Sequence, residues 1–197
     1  YEPITIPKTD KVISRLQEIA TDKGFSPSSL TNYIRNRIQF YMQRILRINE
    51  AEDVEENIAA NTLGTIIHNA LEELYTPYLN QFLALHHIQS MEAKIDEVIL
   101  KHFKEIYKEG EITKRKNLLA FEVAKRNVYN FLQLEKQDIE DGQAIKVLLL
   151  EAQLSCEIIV KSLPFPIKIA GKVDRIEERI GAIRIIDYKT GKVDGFC

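Results

Sequence analysis

The chain has 197 residues, 45% hydrophobic and 28% charged, with a formal net charge of −2. That length suffices for one substantial core, and the near-balanced charge excludes a protein that holds nucleic acid by bulk positive charge, because phosphate neutralisation needs clustered Lys and Arg. No stretch approaches the roughly 18 uninterrupted apolar residues of a membrane span, and Cys156 and Cys197 alone provide neither a disulfide framework nor a CxxC metal signature. The chain opens on Tyr1 with no basic-then-apolar leader, so it reads as a piece of a longer, cytoplasmic protein.

Over residues 8–23, Val12, Ile13, Leu16, Ile19 and Ala20 recur at helical spacing, and Gly24 supplies a stop. Ser28 or Ser29 then offers an N-cap for a second helix running to about Leu46, with Leu30, Tyr33, Ile34, Ile38, Tyr41 and Ile45 on its apolar stripe. Residues 49–57 are acidic and aperiodic, a connection. A third helix begins near Thr62 and is limited by Pro77. His86 and His87 fall in a solvent-facing connection, and helical patterns follow over residues 90–107 and 114–134, separated by Gly110. After Gly142, residues 145–160, 167–177 and 182–188 are rich in Ile, Val and Leu, with Pro164, Pro166 and Gly181 between them. The order predicts a single α+β domain, residues 1–140 mainly helical and packed on a small β-meander formed by residues 141–197.

Two of these strands carry groups capable of chemistry. In IAGKVDRIEE, Asp174 sits among apolar neighbours; in IRIIDYKTG, Asp187 stands two residues before Lys189 and shares its face. A short turn at residues 179–181 can bring Asp174 alongside. Two neighbouring carboxylates are costly unless a cation neutralises them, and a hard divalent ion such as Mg²⁺ or Mn²⁺ is the usual solution. The same spacing equally fits an Asp174 ion pair with Arg175 and an edge strand that ends at Asp187 and Lys189. His68, on an otherwise apolar helix, fits a packed core histidine as well as a ligand.

Three blocks, SPSSLTNYIRNRIQFYMQRIL, LGTIIHNALEELY and GKVDRIEERIGAIRIIDYKTGK, lie in this order across residues 26–192. Together they resemble the RecB/AddB branch of the PD-(D/E)XK nuclease superfamily. The resemblance implies a restriction-endonuclease-like core whose sheet carries the active site, with Asp174, Asp187 and Lys189 catalytic. It implies His68, Asp174, Asp187 and the carbonyl of Tyr188 as metal ligands, and Lys189 as the residue that orients or activates the attacking water. Glu72, one helical turn after His68, and Glu151, read as opening the first strand, are candidate outer partners of the metal. Two basic stretches, Arg35, Arg37, Arg44 and Arg47 and then Lys114, Arg115, Lys116, Lys125 and Arg126, can track a phosphate backbone; solvated helix faces explain them too.

The sequence also departs from that branch. Asn36 and Arg37 stand where many relatives carry Cys-Pro, and two cysteines cannot assemble four-thiolate ligation, so no iron–sulfur cluster is expected. Relatives continue past Lys-Thr-Gly into a helix bearing Gln-x-x-x-Tyr, whereas eight residues follow Lys189 here, which reads as a C-terminal truncation. The implied function is cleavage of DNA, single-stranded above all, by the nuclease domain of a helicase–nuclease repair or recombination protein, with a helicase domain or subunit as partner. Two alternatives stay open: a non-cleaving DNA-binding or subunit-docking module of the same fold, and a CRISPR-associated or phage-type exonuclease.

Overall fold

A computed structural model describes residues 5–48, 60–106 and 115–190. Helices precede a three-stranded sheet, the α+β order expected from the sequence. The chain divides into two compact units, Tyr1–Asp53 with Gln153–Lys172, and Val54–Ala152 with Val173–Cys197.

In the first unit, α1 (Asp10–Glu18) passes into a π-helical turn, Ile19–Lys23, that ends at Gly24 with φ 82°. Glycine is required there twice over: the backbone is left-handed, and a Cβ would lie 3.0 Å from the Ala170 Cβ and 3.1 Å from the Lys168 carbonyl. This close approach lets the Phe25 N–H donate to Lys168 O at 2.9 Å and the Ala170 N–H donate to Phe25 O at 3.0 Å. The N-cap of α2 (Pro27–Arg35) is Ser26, whose hydroxyl accepts from the Ser29 N–H at 3.1 Å, rather than Ser28 or Ser29. Pro27, with its fixed φ and missing N–H, takes the first helical position and moves the start upstream. Nor does one helix run to Leu46. Asn36 is extended and uses its side chain to cap α3 (Arg37–Phe40), which continues into a π-helical turn, Tyr41–Ile45; an Asn that can satisfy a helix start with its own amide makes such a break inexpensive.

In the second unit, α4 (Ala60–Tyr75) gives way at Pro77 to a 3-10 turn. The region read as one helix over residues 90–107 is two, α5 (Leu85–Glu92) and α6 (Ile95–Ile106), and α7 spans Arg115–Glu140. His86 and His87 belong to the first turn of α5, not to a connection, where the His87 Nδ1 accepts from the Ala84 N–H at 3.2 Å and satisfies a helix-start donor. On α4 the buried residues Ile66, Ala70, Leu74 and Tyr75 form the stripe that a 3.6-residue period requires. They meet Ile99 and Phe103 of α6, Val128 and Leu132 of α7, and Ile145 and Val147 of the first strand. Each buried Ile, Leu, Val or Phe of this set contributes about 1.5–3 kcal/mol, which fixes α4 against the strand ends that carry the site.

The strands are β1 (Ile145–Ile158), β2 (Ile167–Arg179) and β3 (Ala182–Ile186), in that spatial order. β2 and β3 pair antiparallel, from Arg175 opposite Ile186 to Arg179 opposite Ala182. The two-residue loop between them, Ile180 (φ 51°) and Gly181 (φ 74°), has the left-handed conformation at both positions that matches the twist of a hairpin. Ile180 is 74% exposed and β-branched, so it bears the strain of positive φ and buries little in return. Ile180→Asn is expected to raise stability by about 0.5–1 kcal/mol in urea unfolding; a loss would show that the Ile180 side chain holds the hairpin.

Candidate metal centre

Three elements of the second unit converge on one point. His68 lies on α4, Glu151 in β1 and Asp174 in β2, and one potential ligand atom from each lies within 4.8 Å of the others. His68 Nδ1 is 3.3 Å from Glu151 Oε1 and 3.4 Å from Asp174 Oδ1. Gly64, one turn before His68, lets α4 come close to the segment after Lys189: a Cβ there would lie 3.2 Å from Thr190 Oγ1.

Glu151 does not open the first strand. It lies well inside β1 at φ 46°, a left-handed step rare for a residue with a side chain. Such strain persists where the surroundings impose it and gathers at functional positions. The Glu151 side chain is 9% exposed, against 13% for Asp174 and 23% for His68.

Tyr188 ties the third strand to the cluster. Its N–H donates to Asp174 Oδ2 at 2.6 Å, and its carbonyl faces His68 Nε2 at 3.2 Å. Its ring meets those of His68 and Phe131 edge-on, with centroids 5.5 and 5.3 Å away. When Nε2 carries the imidazole proton and donates to that carbonyl, Nδ1 presents a lone pair to the two carboxylates, the arrangement a ligating histidine adopts. Burial holds the Asp174 carboxyl above the usual carboxylate range, against the opposing Tyr188 N–H and His68 and with reinforcement from Asp187 and Glu151.

This donor set fits a divalent cation. Oxygen ligands at about 2.1 Å in octahedral geometry stand about 3 Å apart, close to the separations seen here, whereas two carboxylates around an imidazole lone pair repel one another when nothing positive lies between them. Glu151→Gln is expected to weaken Mn²⁺ affinity by about 10- to 100-fold, read as a smaller Mn²⁺-dependent rise in Tm; an unchanged rise would remove Glu151 from the ligand set.

Asp187 and Lys189 follow the end of β3 and stand outside this three-donor cluster, their side chains 61% and 63% exposed and ion-paired to each other. The hydrogen bond from Lys189 to Asp187 holds the ammonium above the ordinary lysine range, so it stays charged at neutral pH. Glu72 is half-buried one turn along α4, and the carboxylates that approach His68 Nδ1 are those of Glu151 and Asp174 instead. Arg35, Arg37 and Arg44 are exposed, Arg37 lying over the Tyr33 ring at 5.7 Å. Lys125 is engaged by Asp96 at 2.9 Å. Lys114 and the side chains of Arg115 and Lys116 lie outside the described residues.

Behind the metal cluster is a feature without a local sequence signal. Arg175 is fully buried, with Nη2 2.5 Å from both Glu135 of α7 and Glu177 of β2. Its guanidinium lies 4.7 Å above the Tyr75 ring, and the Tyr75 hydroxyl donates to Glu135. Burial opposes the Arg175 charge, but Glu135 and the neighbouring tyrosines and Glu177 prevail and raise its pKa.

A family model described as the PD-(D/E)XK nuclease superfamily matches residues 24–195. An uncharacterized protein of Rickettsia conorii is 27% identical over 196 residues, covering 98% of this chain and 22% of that protein. Uncharacterized proteins of Rickettsia felis and Rickettsia typhi are 29% and 24% identical over 176 and 177 residues, each covering 85% of this chain. The chain spans about a fifth of the length of these curated relatives.

Proposed function

Because the chain belongs to the PD-(D/E)XK nuclease superfamily, we propose that it hydrolyses DNA phosphodiester bonds with a divalent cation held by His68, Glu151 and Asp174. The observation that carries this reading is the convergence of one nitrogen and two oxygen donors from three elements within 4.8 Å. A bound Mg²⁺ or Mn²⁺ supplies Lewis-acid polarisation of the scissile phosphate and lowers the pKa of a water.

The chain's own groups do the rest. Asp174 accepts from the Tyr188 N–H, which fixes the carboxylate and keeps its other oxygen directed to His68. The Tyr188 carbonyl sets the imidazole through His68 Nε2, which leaves Nδ1 facing the carboxylates. Lys189, held beside Asp187, can donate to a phosphoryl oxygen and stabilise the charge developing at phosphorus while it orients the attacking water. Asp187 anchors Lys189 and adds negative charge near Asp174. Both side chains are open to a strand of nucleic acid.

The finer reading is a RecB/AddB-like nuclease domain of a helicase–nuclease repair or recombination protein, acting on single-stranded DNA beside a helicase domain or subunit. The three ordered blocks support it, as does the greater length of the relatives. Labelled single- and double-stranded DNA incubated with Mg²⁺, Mn²⁺ or EDTA tests it. Cleavage is expected with either ion, none with EDTA, and Lys189→Ala is expected to slow it by about 10²-fold. Cleavage that persists in EDTA, or in Lys189→Ala at the parent rate, would sink this mechanism.

A further inference from the structure

The first unit contains a cavity of about 440 Å³ whose lining includes Arg15 of α1, Lys23, Arg44 and Arg47 and, among the described residues, no acidic side chain. We propose that this cavity binds a phosphate group of the nucleic-acid strand, an inference that rests on the nuclease reading for its ligand. Four cations, three from helical segments and Arg47 two residues beyond the last of them, repel one another, and such a gathering is stable when an anion sits among them. Glu18 offsets part of that charge, pairing with Arg15 at 2.6 Å and approaching Arg47 at 3.9 Å.

A second observation concerns Arg15 itself. Its side chain is 15% exposed, and its Nε is sealed from solvent without a hydrogen-bond acceptor, although Nη1 meets Glu18. A buried N–H without an acceptor is costly to the fold, and a phosphate oxygen supplies the acceptor while matching the guanidinium fork. The same wall holds Ser26, the N-cap of α2, and Gln43. Arg47 adds to the case because it is held at φ 59°, a strained conformation for a residue with a side chain.

The phosphate can come from a strand terminus or from the strand interior, and one binding experiment separates the two. Fluorescence anisotropy on the full chain in EDTA, where cleavage plays no part, would compare single-stranded oligonucleotides with and without a 5′-phosphate. The variant is Lys23→Gln with Arg44→Gln, both exposed positions. Binding is expected to weaken by about tenfold or more, and the slope of log K against log salt to fall by about 1 to 2, since each phosphate contact on single strands contributes about 0.7. Loss confined to the 5′-phosphorylated strand assigns a terminal phosphate; equal loss for both assigns an internal one. Parent-like affinity and salt slope in the variant, or no binding of either strand by the parent, would overturn the proposal. Because EDTA silences the metal centre, that result would leave the nuclease reading standing, and failure of cleavage with intact salt-dependent binding would do the reverse.

Discussion

Asp174→Asn is expected to lower divalent-cation-dependent DNA cleavage by at least about 10²- to 10³-fold while leaving the protein folded. Asparagine keeps the size of the side chain and an oxygen that can accept from the Tyr188 N–H at the position where Asp174 Oδ2 now accepts. What it removes is the negative charge that, with Glu151, balances a cation beside His68. Burial already raises the Asp174 carboxyl pKa, so the ionised form is held at a cost to the fold. In the absence of cation the variant should therefore melt at or above the parent's Tm at neutral pH, and the parent's advantage should return when Mn²⁺ is added. Loss of activity accompanied by a lower Tm in EDTA would instead make Asp174 a structural residue. This pairing of lost chemistry with retained stability separates a ligand from a scaffold position.

Arg175→Met is expected to cost about 3–5 kcal/mol, a large share of the stability of a typical domain, because it leaves Glu135 and Glu177 buried without their cation. The pH dependence gives a sharper signature. Burial pushes the Glu135 carboxyl up even with Arg175 beside it, and removing the guanidinium pushes it further. A carboxyl whose folded pKa is raised contributes stability below its unfolded value, about 4.3, and loses it as pH rises through the folded value. The deficit of the variant should therefore be smallest in acid and grow toward neutral pH. Adding Glu135→Gln should recover part of it. A deficit independent of pH would mean that lost packing of the Arg175 stem over Tyr75, not charge, dominates.

Much of this was legible in the residues, for identifiable reasons. Helices and strands announce themselves by period, and the α+β order followed from a change of texture after Gly142. Asp174, His68 and Tyr188 became candidates because their blocks resemble a known family, whereas spacing alone left Asp174 and His68 with an ordinary structural explanation. Glu151 was placed at the edge of the metal site; its position inside the cluster depends on a left-handed step within β1, which no periodicity encodes. The break at Asn36 and the Ser26 cap turn on single side chains satisfying backbone donors, a local competition that an apolar stripe running through the region conceals. The Arg175 network joins positions 135, 175 and 177 across α7 and β2, so it exists only after the fold has formed.

The most direct test of a cation shared by His68, Glu151 and Asp174 is anomalous X-ray scattering from crystals of the chain grown with Mn²⁺. One peak is expected within about 2.0–2.6 Å of His68 Nδ1 and of a carboxylate oxygen from each of Glu151 and Asp174. A peak held by Asp174 and Asp187 with Glu151 and His68 outside the coordination sphere, or no peak at saturating Mn²⁺, would contradict it.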